Sequence, residues 1–487
     1  MEKKVIDRLT AIVGEDNIVI DTTELSEYSG NPACVVKPTE TEQAQQIVKL
    51  ANEHRLHVIP TSSGLPRLRG QTSAKGEDTV IVDLRLMKRI LRVDTKNRVV
   101  TVEPGVTFEE LIHELDKNGL LPLMPLLPKA SQSVLASALD QEPITTPRFH
   151  WDSPDPLLCT ETIFGNGDLF RTGSAAGPGT LEEQWASGQA QKNPMGPSQF
   201  DPYRIIQGSQ GTIGIVTWAS IKCETKPKNG QLLLAPLENL EDLVEFTYIM
   251  LRRKLADDLF IMNALSLSSA MNMTHEEISE MERKLPEWTL ILSFAGRGLM
   301  AQEELDYRVA DSRDIATANG LTLTDSFDDI PAEEVKKMIG VPCPEQYWKL
   351  RYKGACKEVF FLTTLDLTSY LYSEFLNAAR ENRFPADSIG VYLQPTIQGT
   401  NTHCFFDIYY DSQDSNQSEA AEALFQNGSM LLMDKGAYFS RPVPAIAGSV
   451  FSRSSPENIS AMKRVKSIFD ANLVMSPDNL CFEEVRE

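Results

Sequence analysis

Cysteine is sparse in this chain: seven residues in 487, at 34, 159, 223, 343, 356, 404 and 481, with no CxxC spacing anywhere. An odd, scattered set argues against a disulfide framework and against cysteine-held zinc or iron–sulfur sites. Histidine is scarcer still, at six. No apolar run approaches the length of a membrane span. The opening MEKKVIDRLTAIVG has no apolar stretch behind its lysines and reads as an amphipathic helix, so neither a span nor a leader is expected. Positive charge is also short. Forty-seven Lys and Arg against 68 Asp and Glu leave a net charge of −21, which would repel nucleic acid and an anionic membrane surface alike. A cytoplasmic protein is the expectation. There is no internal repeat and no low-complexity tract.

What is present is concentrated in two loops. HVIPTSSGLPRLRGQ, residues 57 to 71, is an apolar run that ends in Pro60 and opens into Thr61, Ser62, Ser63 and Gly64. Hydroxyls and backbone N–H groups gathered in one turn suit the oxygens of a phosphate. DPYRIIQGSQGTIGIVTW, residues 201 to 218, places Gly208, Gly211 and Gly214 before a short core strand of Ile213, Ile215 and Val216. Glycines there permit positive φ and close approach of the backbone to a ligand. Between the loops the pattern predicts strands at 80–84 and 98–102, a Glu103-Pro104-Gly105 turn, and a helix opened by a Thr107/Glu110 capping box.

Taken in order, the phosphate turn Pro60 to Gly70, the VDL strand with its EPG turn, FGNGDLFRTG at 164 to 173 and QGSQGTIGIVT at 207 to 217 resemble one known family. It is the FAD-binding PCMH-type domain of the vanillyl-alcohol oxidase and p-cresol methylhydroxylase superfamily, which includes the D-lactate and glycolate dehydrogenase flavoproteins. The resemblance covers roughly residues 30 to 227 and the last fifty or so. It implies an α+β fold: an FAD domain at 1–226, a substrate cap at 227–444, and a segment at 445–487 that returns to the FAD domain. It also implies FAD held by Pro60, Thr61, Ser62, Ser63, Gly64, Leu65, Gly70, Gly208, Gly211, Thr212, Gly214, Ile215 and Val216. The run of three glycines common in the hydroxy-acid branch is missing, since Leu65-Pro66-Arg67 follows Gly64, and the turn is closer to that of the phenol-oxidising branch. No histidine lies between His57 and His113, so non-covalent FAD is expected. An irregular insertion at 174–200 reads as a lid or partner surface.

In the cap, the pattern predicts helices at 240–254, 275–285, 301–319, 331–339 and 369–382, and strands at 288–295, 357–365, 388–394 and 403–410. Strand alternation sets His403, Phe405, Asp407 and Tyr409 on one face. His403 is a candidate to take a hydroxyl proton as hydride leaves for the flavin, or a hydrogen-bonded strand histidine with no such role. The metal-using relatives carry a histidine cluster where this chain has Gln394, Gln398 and GAYFSRPVPAIAG, so no metal is expected. The resemblance implies that Arg441 faces the substrate's oxyanion, with Tyr438 standing in for the tyrosine that Ser440 replaces; a domain-bridging arginine is the plainer reading. Arg351 in QYWKLRYKG is similar to a carboxylate-holding arginine, or else lies on a helix surface. The resulting expectation is an FAD-dependent dehydrogenase of a small hydroxylated anionic substrate, either a 2-hydroxy acid or a phenolic alcohol. A protein electron acceptor, an electron-transfer flavoprotein or an iron–sulfur subunit, would take the electrons on. The second reading is a flavin-carrying electron-transfer or structural subunit of a larger redox complex, without a substrate of its own. Oligomeric state is not written in the pattern.

Overall fold

The computed structural model describes residues 1–25, 28, 30, 32–64, 78–147, 156–196, 201–327, 330–396 and 401–482. Its first sheet has four strands in the order Ile18–Val19, Cys34–Val36, Thr79–Asp83 and His57–Thr61, the last three parallel. Every residue of Thr79–Asp83 is buried, as expected for a parallel strand covered on both sides. Helices Lys3–Val13 and Thr41–His54 send Val5, Leu9, Ile47 and Val48 into its core. Asp83, at the end of that strand, is 2 % exposed and accepts from the Tyr28 hydroxyl at 2.8 Å and from Arg85 Nε at 2.9 Å. Burial pushes its carboxyl up, but the bonds and charge of Arg85 and the Tyr28 hydroxyl prevail and hold it below its ordinary 3.8. A carboxyl depressed in the folded state stabilises above the unfolded value and loses that contribution as pH falls through the folded one. Asp83→Asn should therefore lower stability near neutral pH by roughly 1–3 kcal/mol, with the gap to the parent closing below pH 3.8. Urea unfolding of both proteins across that range checks it; a gap that widened with acid would rule the account out.

The second sheet is antiparallel, in the order Ile90–Asp94, Val99–Val102, Gly214–Thr225, Leu157–Phe164 and Leu169–Arg171, with Leu120–Pro122 added on the long Gly214–Thr225 strand. The short strand expected at 213–216 is thus the start of a 12-residue one that runs the height of the domain. The Thr107 capping box forms, with Glu110 N–H donating to Thr107 Oγ1 at 3.3 Å and Thr107 N–H to Glu110 Oε2 at 3.0 Å. The insertion, expected as a lid or partner surface, forms the short helical turns Gly173–Ala175 and Leu181–Ala186 where it is described. Its described part packs Ala175 and Leu181 against Cys159 and Trp218 on the outer side of this sheet, and Arg92 lies over the Trp185 ring at 5.2 Å.

The third sheet is the cap. Six antiparallel strands run Asn229–Leu237, Trp288–Gly296, Asp258–Asn263, Ile389–Pro395, Thr402–Tyr410 and Ala355–Thr363. One face is covered by helices Glu241–Arg253, Ala301–Ala318, Thr368–Glu381 and Ser415–Asp434, which bury Phe246, Ile315, Phe375 and Leu424 with Val359, Phe361 and Phe406 of the strands. The two last helices approach closely at Gly428, where a Cβ would stand 2.6 Å from the Phe375 ring. The opposite face carries Phe260, Phe360, Tyr392 and Phe405 and packs with Leu126 and Leu127 of the N-terminal half. The C-terminal helix Pro456–Phe469 then leads back, and Met475 bridges to Val58 beside the first sheet. No helix among the described residues is long and apolar enough to cross a membrane.

Candidate active site

Between the two halves lies a cavity of about 260 Å³. Its lining includes Pro60, Thr61, Ser62 and Ser63 of the first loop and Gly211, Gly214, Ile215 and Val216 of the second. The second loop is shaped by three residues at positive φ, Gly208 at 75°, Gln210 at 50° and Gly211 at 74°, a backbone that only glycine adopts without strain. Gln210 is held there from two sides. Its Nε2 donates to Pro442 O at 2.9 Å, and its carbonyl accepts from Asn479 Nδ2 at 3.1 Å. A Cβ at Gly211 would sit 2.9 Å from Pro60 and 3.1 Å from Ser476 Oγ, so the two loops and the C-terminal turn meet with no side chain between them. Ser476 Oγ is buried and has no hydrogen-bond partner among the described residues. A buried hydroxyl without a partner beside a glycine cradle fits a polar ligand such as the phosphates of FAD.

The other described residues expected to hold FAD lie around this loop pair. Gly64 donates its N–H to Ser131 O at 3.1 Å, Gly208 to Leu139 O at 2.8 Å, and Thr212 Oγ1 to Ser209 O at 2.7 Å; these three support the loops from behind the lining. Leu65, Gly70 and Gln398 lie outside the described residues. Lys129 adds a cation to the lining, its Nζ 3.3 Å from Gly64 O.

The cap closes the cavity with Tyr347 and Glu358. Glu358 belongs to Ala355–Thr363, where alternation sends Glu358, Phe360 and Leu362 to the FAD-domain side and Val359 and Phe361 to the helices. Across the sheet these pair with Asp407, Phe405 and His403. Lys349, from the turn Trp348–Leu350, inserts between the two acids: its Nζ donates to Glu358 Oε1 at 2.5 Å and to Asp407 Oδ1 at 2.9 Å. All three side chains are sealed, at 3 %, 2 % and 0 % exposure. Burial works to lower the Lys349 ammonium, but the charges of Asp407 and Glu358 overcome it and raise it above its ordinary value. The aromatic faces of Phe405 and Trp348, 4.8 and 5.1 Å from Nζ, complete the pocket around the cation.

Of the four catalytic candidates read from sequence, His403, Arg441, Tyr438 and Arg351, none is in the cavity lining. His403 is half-buried, 5.5 Å ring to ring from Phe360, and its neighbours across the strands are Leu362 and Gln394. Arg441 stacks on Phe360 at 3.7 Å and donates to Asp140 O at 2.6 Å, joining cap to FAD domain just behind the wall that Asp140 forms. Tyr438 is 66 % exposed and meets Leu362 through backbone bonds. The carboxylate-holding role expected of Arg351 does not fit. Its Nε, Nη1 and Nη2 donate to Gln346 O, Asn272 O and Cys343 Sγ at 2.9, 3.1 and 3.2 Å, so the guanidinium clamps a loop. Lys349 and Glu358 were missed, although a signal was present. An acid in the apolar strands ACKEVFFLT and CFFDIYY requires a buried counter-charge, and WKL supplies the lysine.

Comparison with known proteins places this geometry. Residues 32–172 match the FAD binding domain model. The chain is similar to the 4-cresol dehydrogenase (hydroxylating) flavoprotein subunit of Pseudomonas putida, 21% identical over 459 residues, which covers 87% of this chain and 84% of that one. It is also similar to the mitochondrial D-lactate dehydrogenase (cytochrome) of Arabidopsis thaliana, 23% identical over 501 residues, 98% of this chain and 80% of that one. Among solved structures, p-cresol methylhydroxylase with substrate bound superposes with a TM-score of 0.84 at 18% identity, covering 99% of this chain and 97% of that one. Residues 32–172 are an FAD-binding domain, the chain as a whole has the p-cresol methylhydroxylase fold, and the protein is an FAD-dependent oxidoreductase.

Proposed function

We propose that the protein oxidises a small hydroxylated substrate, of the phenolic alcohol class rather than a 2-hydroxy acid, with Glu358 receiving the hydroxyl proton. The observation that carries this is the shared cavity: the serine turn and glycine loop that fit FAD and the cap's Tyr347 and Glu358 line one space. A bound flavin supplies the two-electron acceptor, and the side chains supply orientation and proton transfer. A carboxylate at Glu358, in the cavity lining, is a pure hydrogen-bond acceptor and suits a substrate O–H. In a benzylic alcohol, as the carboxylate takes that proton the O–H bonding pair becomes the second bond of the product carbonyl and the C–H bond on the same carbon breaks with its pair leaving as hydride; in a 4-alkylphenol the O–H pair becomes the carbonyl of a quinone methide, the ring double bonds shift, and hydride leaves from the benzylic carbon.

Charge favours the phenolic arm. Lys349 stands against both Glu358 and Asp407, so the cap end of the cavity presents its lysine already paired with acids. Arg351, the cation proposed to hold a carboxylate, is committed elsewhere, and a neutral hydroxyl needs no such counter-charge. Tyr347 offers an aromatic wall. Likeness to the 4-cresol dehydrogenase flavoprotein along most of both chains supports the same arm. The test is anaerobic mixing of the FAD-loaded protein with 4-alkylphenols, 4-hydroxybenzyl alcohols and 2-hydroxy acids. Bleaching of the flavin by a phenolic compound is expected. Bleaching by 2-hydroxy acids alone reverses the substrate class, and reduction only by a second redox protein makes the chain a carrier subunit.

A further inference from the structure

We propose that Ser476, in the C-terminal turn, is a cofactor-contacting residue whose hydroxyl donates to a phosphate oxygen of bound FAD. The inference rests on FAD seating between the two loops of the cavity, and it does not depend on the substrate. Ser476 lies far outside residues 32–172, the part matched by the FAD binding domain model. It is 2 % exposed, and its Oγ has no hydrogen-bond partner among the described residues. Its backbone stands at φ 36°, a conformation that glycine would adopt without strain. The hydroxyl lies behind Gly211, where the position of the absent Cβ is 3.1 Å from Oγ. Gly211 and Pro60 both line the cavity, so at that point no side chain of the glycine loop stands between the cavity and Oγ.

The polar groups around the turn are engaged with one another and leave Oγ out. Ser476 N–H donates to Val58 O at 3.0 Å and Val58 N–H to Val474 O at 2.8 Å, which ties the turn to the strand His57–Thr61 that leads into Ser62 and Ser63. On the other loop, Asn479 Nδ2 donates to Gln210 O at 3.1 Å. Lys466 Nζ donates to Thr212 O, Met475 O and Asp470 Oδ2, and Asp470 accepts from the Val474 and Met475 N–H groups. Pro60, at the same contact with Gly211, has no N–H to offer. The turn is thus fastened to both loops, with a buried hydroxyl that costs stability until an acceptor arrives. A phosphate oxygen suits it, because charge on the acceptor strengthens the bond and the hydroxyls of Thr61, Ser62 and Ser63 line the same cavity. Strain at a residue that bonds only to a ligand is strain kept for binding.

The test is FAD affinity, read from the fluorescence of flavin released by the loaded protein on dilution, together with urea unfolding of the stripped protein. Ser476→Ala should weaken FAD binding by about tenfold or more, the scale of a lost hydrogen bond to a charged group. The stripped variant should be as stable as the parent or more so, because an unpaired buried hydroxyl has gone. A serine with a merely structural role would lower both. Ser476→Gly, which also relieves the backbone, should behave in the same way, and it decides alone if the alanine variant does not fold. The phosphorus NMR resonances of FAD bound to either variant should be displaced from those in the parent. FAD held as tightly as by the parent, affinity and stripped-protein stability falling together, or unmoved phosphorus resonances would each overturn the proposal. Ser62→Ala separates this from the seating of the cofactor. If it weakens FAD binding and Ser476→Ala does not, only the proposal fails; if neither does, FAD does not lie between these loops and both fail.

Discussion

Glu358→Gln should slow substrate reduction of the flavin by about 10²–10⁴-fold, the range for removal of a positioned general base. The replacement is close to isosteric, and a glutamine Oε1 can still accept from Lys349, which keeps Asp407 as its charge partner at 2.9 Å. Loss of fold is therefore not expected, and the visible spectrum of bound FAD should match the parent. Rapid-mixing measurement of the anaerobic half-reaction is the suitable readout, because it separates this step from electron exit. A reduction rate equal to the parent's would remove Glu358 from the chemistry.

Lys466→Met should cost about 3–5 kcal/mol of stability, the scale for breaking a buried ion pair by deleting one member. Lys466, 1 % exposed, donates to Thr212 O at 2.6 Å, Asp470 Oδ2 at 2.7 Å and Met475 O at 3.0 Å. Burial lowers its ammonium below the ordinary value even with Asp470 alongside. Methionine fills the volume but supplies no donor. It leaves the Thr212 and Met475 carbonyls unpaired and the Asp470 carboxylate, 0 % exposed, facing only the Val474 and Met475 N–H groups. Thr212 stands in the glycine loop and Met475 precedes Ser476, so the same change should weaken FAD retention. Urea unfolding of the stripped protein and FAD titration of the refolded one read the two effects separately. Parent-like stability would show that packing of the C-terminal turn, and not this lysine, holds the loop.

Local chemistry was the part legible in sequence. The Thr107–Glu110 cap, the glycine loop and the parallel strand Thr79–Asp83 depend on residues within a few positions of each other, and each stands where the pattern put it. Strand Asn229–Leu237 escaped because Pro236 argues against a strand; it is tolerated on the edge of the cap sheet, where one side of the ladder has no partner. Helix Ser415–Asp434 escaped because Gly428 and a polar first turn read as loop, whereas the glycine is there to admit Phe375. The described part of the insertion reads as irregular in sequence, yet its core is Ala175 and Leu181 set on Trp218, a contact between distant segments.

The site divides in the same way. By itself the sequence determined the cofactor side, because a phosphate-binding turn is made by consecutive residues whose hydroxyls and positive φ angles are local properties. It also determined which residues of the Thr402–Tyr410 strand share a face, since alternation is local too. Only the tertiary structure decided the chemistry on the other side of the cavity. Lys349, Glu358 and Asp407 come from a turn and two strands up to 58 positions apart, and their charges acquire meaning only once burial removes water from all three. The same long-range geometry turned Arg351 into a loop clamp and Arg441 into a bridge, because a guanidinium's role is fixed by which acceptors the fold brings within reach of its five donors.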